Sequence, residues 1–298
     1  MGTPEFAVPS LEILINGGYQ IVAVITAPDK PAGRGMLLQQ SAVKKFALEH
    51  HLNILQPPNL TDVQFVEVLR KLAPDLQIVV AFRMLPNVVW QLPRIGTFNL
   101  HGSLLPQYRG AAPINWAIIN GERETGVTTF FLQHEIDTGN IILQEKIVID
   151  ETETAGSLHD RMKVTGAKLV LKTVQTILKD TTPLIEQKQD KELKKAPKIY
   201  TEDCYIQWNR ETTSIYNQIR GLSPYPAAFT ILQGKNFKIF SAEKILKAHS
   251  LNPGEMETDG KTFLRFAACD GFINVLDVQL QGKKRMPVRE FLRGNRLS

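Results

Sequence analysis

The sequence offers little for a disulfide framework, a metal centre or a membrane anchor. It contains two cysteines, Cys204 and Cys269, which are far apart and have no His or Cys nearby at the spacing of metal ligands. No apolar run approaches the ~18 residues that span a bilayer, and no basic segment with an apolar core opens the chain. We therefore expect a cytoplasmic protein with no membrane association and no metal, whose two thiols are buried or half-buried and have no role.

A G-x-G-x-x-G dinucleotide fingerprint is also absent, so no nicotinamide cofactor is expected. The 298 residues are 43% apolar and 22% charged, an ordinary globular composition with enough chain for two cores. Residues 1–180 hold 16 basic and 17 acidic side chains, whereas residues 181–298 hold 19 and 13. This excess of positive charge in the last third indicates either a polyanionic partner or a solvated basic face.

Apolar, β-branched runs alternate with helical patterns over the first 180 residues. Strand patterns occupy residues 21–26, 76–82, 97–100 and 127–132, and helical spacing occurs at residues 9–16, 42–50, 62–72 and 157–180. Strands that alternate with helices predict an α/β fold with a parallel sheet.

Residues 186–198 are polar and rich in lysine, which indicates a linker or an exposed arm. Short strand patterns follow at residues 229–232, 237–240, 263–267 and 273–278, and they predict a small all-β barrel. We expect an α/β domain at 1–183, a linker at 184–200 and a β-barrel domain at 201–298.

Asn99 and His101 end one of the predicted strands. Because side chains alternate along a strand, both lie on one face, and open α/β sheets build their sites at the carboxyl ends of strands. An amide donor beside an imidazole can stabilise an oxyanion and move a proton, which acyl transfer requires. The alternative is a hydrogen-bonded pair that only caps the strand.

Two loops follow this pair. Residues 102–110 are rich in turn formers, and Asp137 lies in the loop at 134–139 between two strand patterns. A carboxylate there could orient His101, raise its pKa and relay a proton. Alternatively, Asp137 only makes an Asx turn ahead of Gly139.

The blocks FNLHGSLLPQYRGAAPI and IDTGNI resemble the folate-dependent formyltransferases. The resemblance implies a Rossmann-like parallel-sheet domain followed by an OB-like β-barrel, with 10-formyltetrahydrofolate as co-substrate. It also implies that the catalytic triad of this family falls on Asn99, His101 and Asp137. The implied folate contacts are Ser103, Leu104, Leu105 and Pro106.

Three further segments are similar to the family members that formylate methionyl-initiator tRNA. They are residues 2–18, the loop APDKPAGRG at 27–35, and the basic C-terminal stretch with GKKRM and GNRL. The implied tRNA contacts are Lys30, Arg34, Lys283, Lys284 and Arg285. The alternatives are an ordinary mobile loop and a solvated basic face, and we expect a monomer.

Two other functions remain open. One is the same chemistry on a small amine such as glycinamide ribonucleotide or an amino sugar. The other is a catalytically silent RNA-binding protein on this scaffold. The basic C-terminal third argues against the first, and the complete triad argues against the second.

The chain departs from the family pattern at two places. Arg83 stands where the pattern VAYGxxLP has glycine, near the expected pterin pocket. Relatives also have a short apolar strand ahead of the GTPEFA turn, whereas this sequence opens at Met1. We expect that this first, central strand is missing.

Overall fold

The structure is a computed structural model that describes residues 1–32, 37–187 and 192–295. The chain forms two compact units. The first comprises Met1–Arg109, Gly126–Ile147 and His159–Lys194, and the second comprises Gly110–Thr125, Val148–Leu158 and Lys195–Ser298. Among the described residues, no helix combines the length and apolarity that a membrane crossing requires.

Helices and short 3-10 turns account for the helical patterns of the sequence. The helices are α1 (Val8–Asn16), α2 (Ala42–Glu49), α3 (Val63–Leu72), α4 (Asn87–Trp90), α5 (Pro113–Ile119), α6 (Ala155–Leu178), α7 (Thr212–Leu222) and α8 (Val288–Gly294). The 3-10 turns are Glu5–Ala7 and Glu202–Cys204. The predicted helix start at Asp62 is confirmed, because its carboxylate accepts a hydrogen bond from the Phe65 amide at 2.9 Å.

The strands up to residue 148 are β1 (Val24–Ile25), β2 (Lys30–Ala32), β3 (Leu37–Gln39), β4 (Ile54–Leu55), β5 (Leu76–Val80), β6 (Gly96–His101), β7 (Arg109–Gly110), β8 (Glu124–Phe131) and β9 (Ile141–Val148). Those that follow are β10 (Lys195–Ala196), β11 (Ala228–Leu232), β12 (Lys235–Ile245), β13 (Met256–Thr258), β14 (Leu264–Ala267), β15 (Phe272–Leu280) and β16 (Met286–Pro287).

The main sheet of the first unit has the strand order β5-β6-β8-β9, with Phe98 and Phe130 fully buried at its centre. Strands β5 and β6 are parallel, but β8 runs antiparallel to β6. The expectation of a parallel sheet therefore holds for β5 and β6 and fails at β8. A parallel neighbour needs a crossover that returns the chain to the start of β6, whereas β8 begins near His101, at the end of β6.

The sheet of the first unit is interrupted between β1 and β5. Met1 and Gly2 lie in the gap: the Met1 nitrogen donates to the Ile78 carbonyl at 2.6 Å, and the Gly2 amide donates to the Ile25 carbonyl at 3.0 Å. An open, largely apolar cavity of about 140 Å³ adjoins them. Two buried side chains that line it, Ser10 and Gln77, have polar atoms without a hydrogen-bond partner among the described residues. That a first strand is missing stays a prediction.

The second unit contains an antiparallel sheet, β11-β12-β15-β14-β13 with β16 beside β15, that curls into a half-barrel. The expectation of an all-β barrel is wrong in one respect, because α7 and α8 belong to its core. Ile215, Ile219 and Leu222 of α7 pack there with Phe237 and with Phe291 of α8. The spacing of the three α7 residues is helical and would have revealed this helix.

Two smaller expectations need correction. Cys204 is buried, and desolvation raises the pKa of its thiol, but Cys269 is exposed. The segment predicted as a linker or exposed arm contains buried residues, namely Gln187 and Ala196. A purely solvated linker does not bury side chains, so this part of the chain has local structural roles.

We predict that Phe237→Ala strongly destabilises the second unit. The ring is fully buried and lies 5.1 Å from the Phe291 ring, and truncation of a buried Phe typically costs about 3–5 kcal/mol. The measurement is urea unfolding followed by circular dichroism. Ile231→Ala is the control, because Ile231 is exposed. Equal stability of the two variants would contradict the packing described.

Candidate active site

Asn99 and His101 lie at the carboxyl end of β6 and project from the same face, as the alternation predicted. His101 is buried and Asn99 is half-buried, while Phe98 and Leu100 between and beside them belong to the buried core. The side-chain amide of Asn99 makes no hydrogen bond within the part of the chain that the structure describes. Its N–H groups are therefore available to a ligand.

The imidazole of His101 is held by a carbonyl of the following loop. Its Nε2 lies 2.9 Å from the carbonyl oxygen of Tyr108. Because a carbonyl oxygen only accepts hydrogen bonds, Nε2 must carry a proton. Nδ1 is then the ring nitrogen that can gain or lose a proton during a reaction. Tyr108 presents this carbonyl from a left-handed conformation, φ 59°. Uncommon backbone geometry of this kind clusters at functional sites.

Asp137 faces the other ring nitrogen of His101. Its Oδ2 lies 3.9 Å from Nδ1, and the two side chains are 13% and 7% exposed. This distance exceeds a direct hydrogen bond but is within the range of an ion pair. The structure thus brings together His101 and Asp137, which are 36 positions apart in the sequence, and places Asn99 two residues before His101 on the same face of β6.

The loop that carries Asp137 has a constrained path between β8 and β9. Asp137 itself has φ 57°, again in the left-handed region. At Gly139 the backbone passes so close to β8 that an added Cβ would lie 1.7 Å from the Phe131 carbonyl oxygen. Only glycine permits this approach, and it turns the preceding Asp137 towards His101.

The SLLP segment is fixed by contacts within the first unit. Ser103 Oγ donates to the Gln107 carbonyl at 2.6 Å, and the Leu105 amide donates to Thr128 Oγ1 at 3.1 Å. Gln144 Nε2 donates to the Leu105 carbonyl at 2.9 Å. Ser103 and Leu105 are buried, whereas Leu104 and Pro106 are half-buried. Sequence reasoning missed Thr128 and Gln144: Thr128 is buried on β8, where a polar residue in an apolar run was a usable signal, whereas Gln144 is exposed on β9 and gave none.

Arg83, the first departure from the family pattern, is directed to the loop after β4. Its guanidinium donates to the Pro58 carbonyl at 2.8 Å and also to the Pro57 carbonyl, and it lies 5.6 Å from the Phe82 ring centre. The cation is exposed and its donors are used by this neighbouring loop. It therefore joins two loops at the carboxyl edge of β4 and β5.

The predicted tRNA contacts lie in two places. Lys30 is exposed on β2, which pairs with β3 as the two arms of a hairpin, and Arg34 lies outside the described residues. Lys283 and Lys284 are exposed in the turn before β16. Arg285 differs from them, because its Nη2 pairs with Asp277 at 2.6 Å. Part of its charge is already compensated.

We predict that Gly139→Ala displaces the Asp137 loop. The new methyl group cannot fit against the Phe131 carbonyl, so residues 133–139 must shift away from β8. Hydrogen exchange followed by mass spectrometry should show faster exchange in this loop. Gly294→Ala is the control, since nothing lies within 4 Å of its Cβ position. Unchanged loop exchange in both variants would refute the close approach.

Comparison with known proteins places the chain in a family. Residues 1–174 match the formyl transferase model, and residues 198–296 match the model of the formyl transferase C-terminal domain. The methionyl-tRNA formyltransferase of Bacteroides thetaiotaomicron is 56% identical, over 100% of this chain and 95% of the relative. That of Flavobacterium johnsoniae is 51% identical, over 99% and 94%.

Solved structures share the fold at lower identity. The sugar 3N-formyl transferase WlaRD, crystallised with dTDP and 5-N-formyl-THF, superposes with a TM-score of 0.70 at 23% identity, over 95% of this chain and 97% of that one. An N-formyltransferase from Helicobacter canadensis gives 0.69 at 22% identity, over 96% and 97%. With both of its domain models matched and relatives above 50% identity over the full length, this chain belongs to the formyl transferase family.

Proposed function

We propose that this protein transfers the formyl group of 10-formyltetrahydrofolate to the amino group of methionyl-initiator tRNA, for translation initiation. The observation that carries the chemistry is the meeting of Asn99, His101 and Asp137 at the carboxyl end of β6, with His101 Nδ1 and Asp137 Oδ2 at 3.9 Å. The full-length relatives named methionyl-tRNA formyltransferase support the acceptor.

The chemistry needs donors for a developing negative charge. Attack of the unprotonated amine on the formyl carbon forms a carbon–nitrogen bond and moves the carbonyl electron pair onto oxygen. The side-chain amide of Asn99 and a proton on His101 Nδ1 stabilise that oxygen, because Nε2 already donates to the Tyr108 carbonyl. Such preorganised donors are typically worth ~100- to 1,000-fold in rate each.

A proton must also move from the attacking amine to the leaving nitrogen of the folate. The Asp137 carboxylate lies 3.9 Å from His101 Nδ1 and can take part in this transfer beside the imidazole. These two side chains help the proton to move, directly or through water, as the bond from the formyl carbon to the leaving nitrogen breaks. No covalent bond to the protein is required.

The folate is expected to lie against the SLLP segment. The Ser103 hydroxyl and the buried Leu105 support the shape of this segment, so the half-buried Leu104 and Pro106 offer the contact surface. The rigid anchoring of Leu105 by Thr128 and Gln144 would keep that surface in place. Positioning of this kind contributes to rate by fixing the reacting atoms in a near-attack geometry.

The tRNA acceptor is expected to use the basic side chains of both units. They are Lys30 on β2, Arg34, which lies outside the described residues, and Lys283, Lys284 and Arg285 just before β16. We retain a catalytic domain at 1–183, a linker at 184–200 and a tRNA-binding domain at 201–298 as the working division. A monomer that acts in the cytoplasm fits this role.

We predict that Asp137→Asn lowers kcat for formyl transfer to charged initiator tRNA by ~100-fold or more, because the amide cannot take up a proton as the carboxylate can. Asn99→Ala should lower kcat by a similar factor, because the variant lacks a hydrogen-bond donor to the oxyanion. The measurement is steady-state formylation with purified 10-formyltetrahydrofolate. Glu135→Gln, an exposed change in the Asp137 loop, is the control. Transfer by wild type only to glycinamide ribonucleotide or an amino sugar would overturn the acceptor assignment.

We predict that the double variant Lys283→Ala, Lys284→Ala raises KM for tRNA and leaves KM for the folate and kcat unchanged. Exposed lysines that bind phosphates give affinity with little effect on chemistry, and the salt slope of tRNA binding should fall by about 1 for each phosphate-binding lysine removed. The control is Lys247→Ala, Lys261→Ala, which removes two exposed lysines elsewhere in the second unit. A double variant that binds tRNA like wild type would exclude this turn from the interface.

A further inference from the structure

Gln187 is buried in the segment between the two matched domains, and its polar atoms face the candidate site. It is 7% exposed. Its Nε2 donates to the carbonyl of Asp137 at 2.9 Å and to the carbonyl of Gly139 at 2.8 Å. Both hydrogens of the amide nitrogen are therefore used to hold the backbone on either side of the turn that delivers the Asp137 carboxylate.

The other end of the same amide is held by Arg109. Gln187 Oε1 accepts from Arg109 Nε at 3.1 Å and from Nη2 at 2.5 Å. This partner fixes which end of the amide is oxygen, since a guanidinium only donates. Arg109 directly follows Tyr108, whose carbonyl accepts from His101 Nε2. One side chain thus connects the backbone that holds His101 with the backbone that carries Asp137.

The position of Gln187 is itself fixed by main-chain pairing. Ile185 exchanges two hydrogen bonds with Ile141, the first residue of β9, at 2.8 and 3.0 Å. Farther along, the Lys194 carbonyl accepts from the Tyr108 amide at 2.7 Å. The segment is therefore tied to β9 on one side and to the Tyr108 turn on the other, which gives Gln187 a defined location.

From this arrangement we propose that Gln187 is a positioning residue, which acts through Asp137 and sets its separation from His101. Glutamine meets the requirement because it supplies two donors and one acceptor on a single planar group. A glutamate would keep the contact with Arg109 but place a carboxylate against two carbonyl oxygens. A methionine would leave the guanidinium and both carbonyls without this partner. The inference rests on the proposed role of Asp137 in formyl transfer.

The test compares Gln187→Glu with Gln175→Glu, the same change at an exposed position of α6. We expect Gln187→Glu to lower kcat ~10- to 100-fold, with KM for tRNA and folate changed less than about threefold, because displacements of about 1 Å can cost ~100-fold in rate. Gln175→Glu should match wild type. Gln187→Met should also lower kcat. Because methionine adds no charge, this variant separates the loss of the hydrogen bonds to the two carbonyls from the repulsion that a glutamate would cause.

Two readouts separate positioning from general destabilisation. In an Asp137→Asn background, Gln187→Glu should cause less than about a twofold further loss, since it acts through the missing carboxylate. Hydrogen exchange in residues 133–139 should rise in Gln187→Glu and Gln187→Met while the rest of the first unit is unchanged. Fully additive kinetic losses, or wild-type activity in both variants, would overturn the proposal. The exchange measurement needs no turnover, so it tests the proposal even if wild type forms no formylmethionyl-tRNA.

Discussion

The hydrogen bond from His101 Nε2 to the Tyr108 carbonyl determines what the rest of the site can do. It assigns one ring nitrogen to a structural partner and leaves Nδ1 as the nitrogen that faces Asp137 and the open side of the sheet. The carbonyl reaches this position only because Tyr108 has φ 59°. The turn after β6 therefore selects the tautomer, and the chemistry at Nδ1 depends on that selection.

The position of Asp137 also depends on a turn whose backbone conformation is constrained. Asp137 also has a left-handed backbone conformation, and the close approach of Gly139 to β8 leaves the loop one path. Conformations of this kind cost of order 1–3 kcal/mol and persist where the surroundings hold them. Gln187 fixes this loop by donating hydrogen bonds to the carbonyls of Asp137 and Gly139. Arg109 in turn fixes Gln187 by donating to its side-chain oxygen. The strain and its support lie together at the site.

Local rules in the sequence account for part of this structure. Alternation along β6 correctly places Asn99 and His101 on one face, and the Asp62 cap correctly starts α3. For Asp137 the residues alone left two possibilities, a partner of His101 or an Asx turn, because its loop is separated from β6 by more than thirty residues, and only the resemblance favoured the first. The antiparallel direction of β8 depends on tertiary packing, which short patterns do not encode. The helix α7 did leave a helical spacing in the sequence, but its place in the second core depends on packing.

Gln187 shows why the remainder escaped prediction. In the sequence it stands beside a lysine-rich stretch and reads as part of a solvated linker. Its role arises from partners 48 to 78 positions away, and no periodicity connects them. By contrast, the exposed lysines of the C-terminal turn were found from charge alone, whereas the ion pair of Arg285 with Asp277 was not.

The most direct test of these roles is nitrogen NMR of the His101 side chain in the folded, uniformly labelled protein, recorded from neutral to acidic pH and assigned with His101→Gln. We expect an Nε2–H tautomer when the ring is neutral, with the second proton added at Nδ1 as the pH falls. A neutral ring protonated at Nδ1 would contradict this, because Nε2 could not then donate to Tyr108 and the assignment of roles to the two nitrogens would fail.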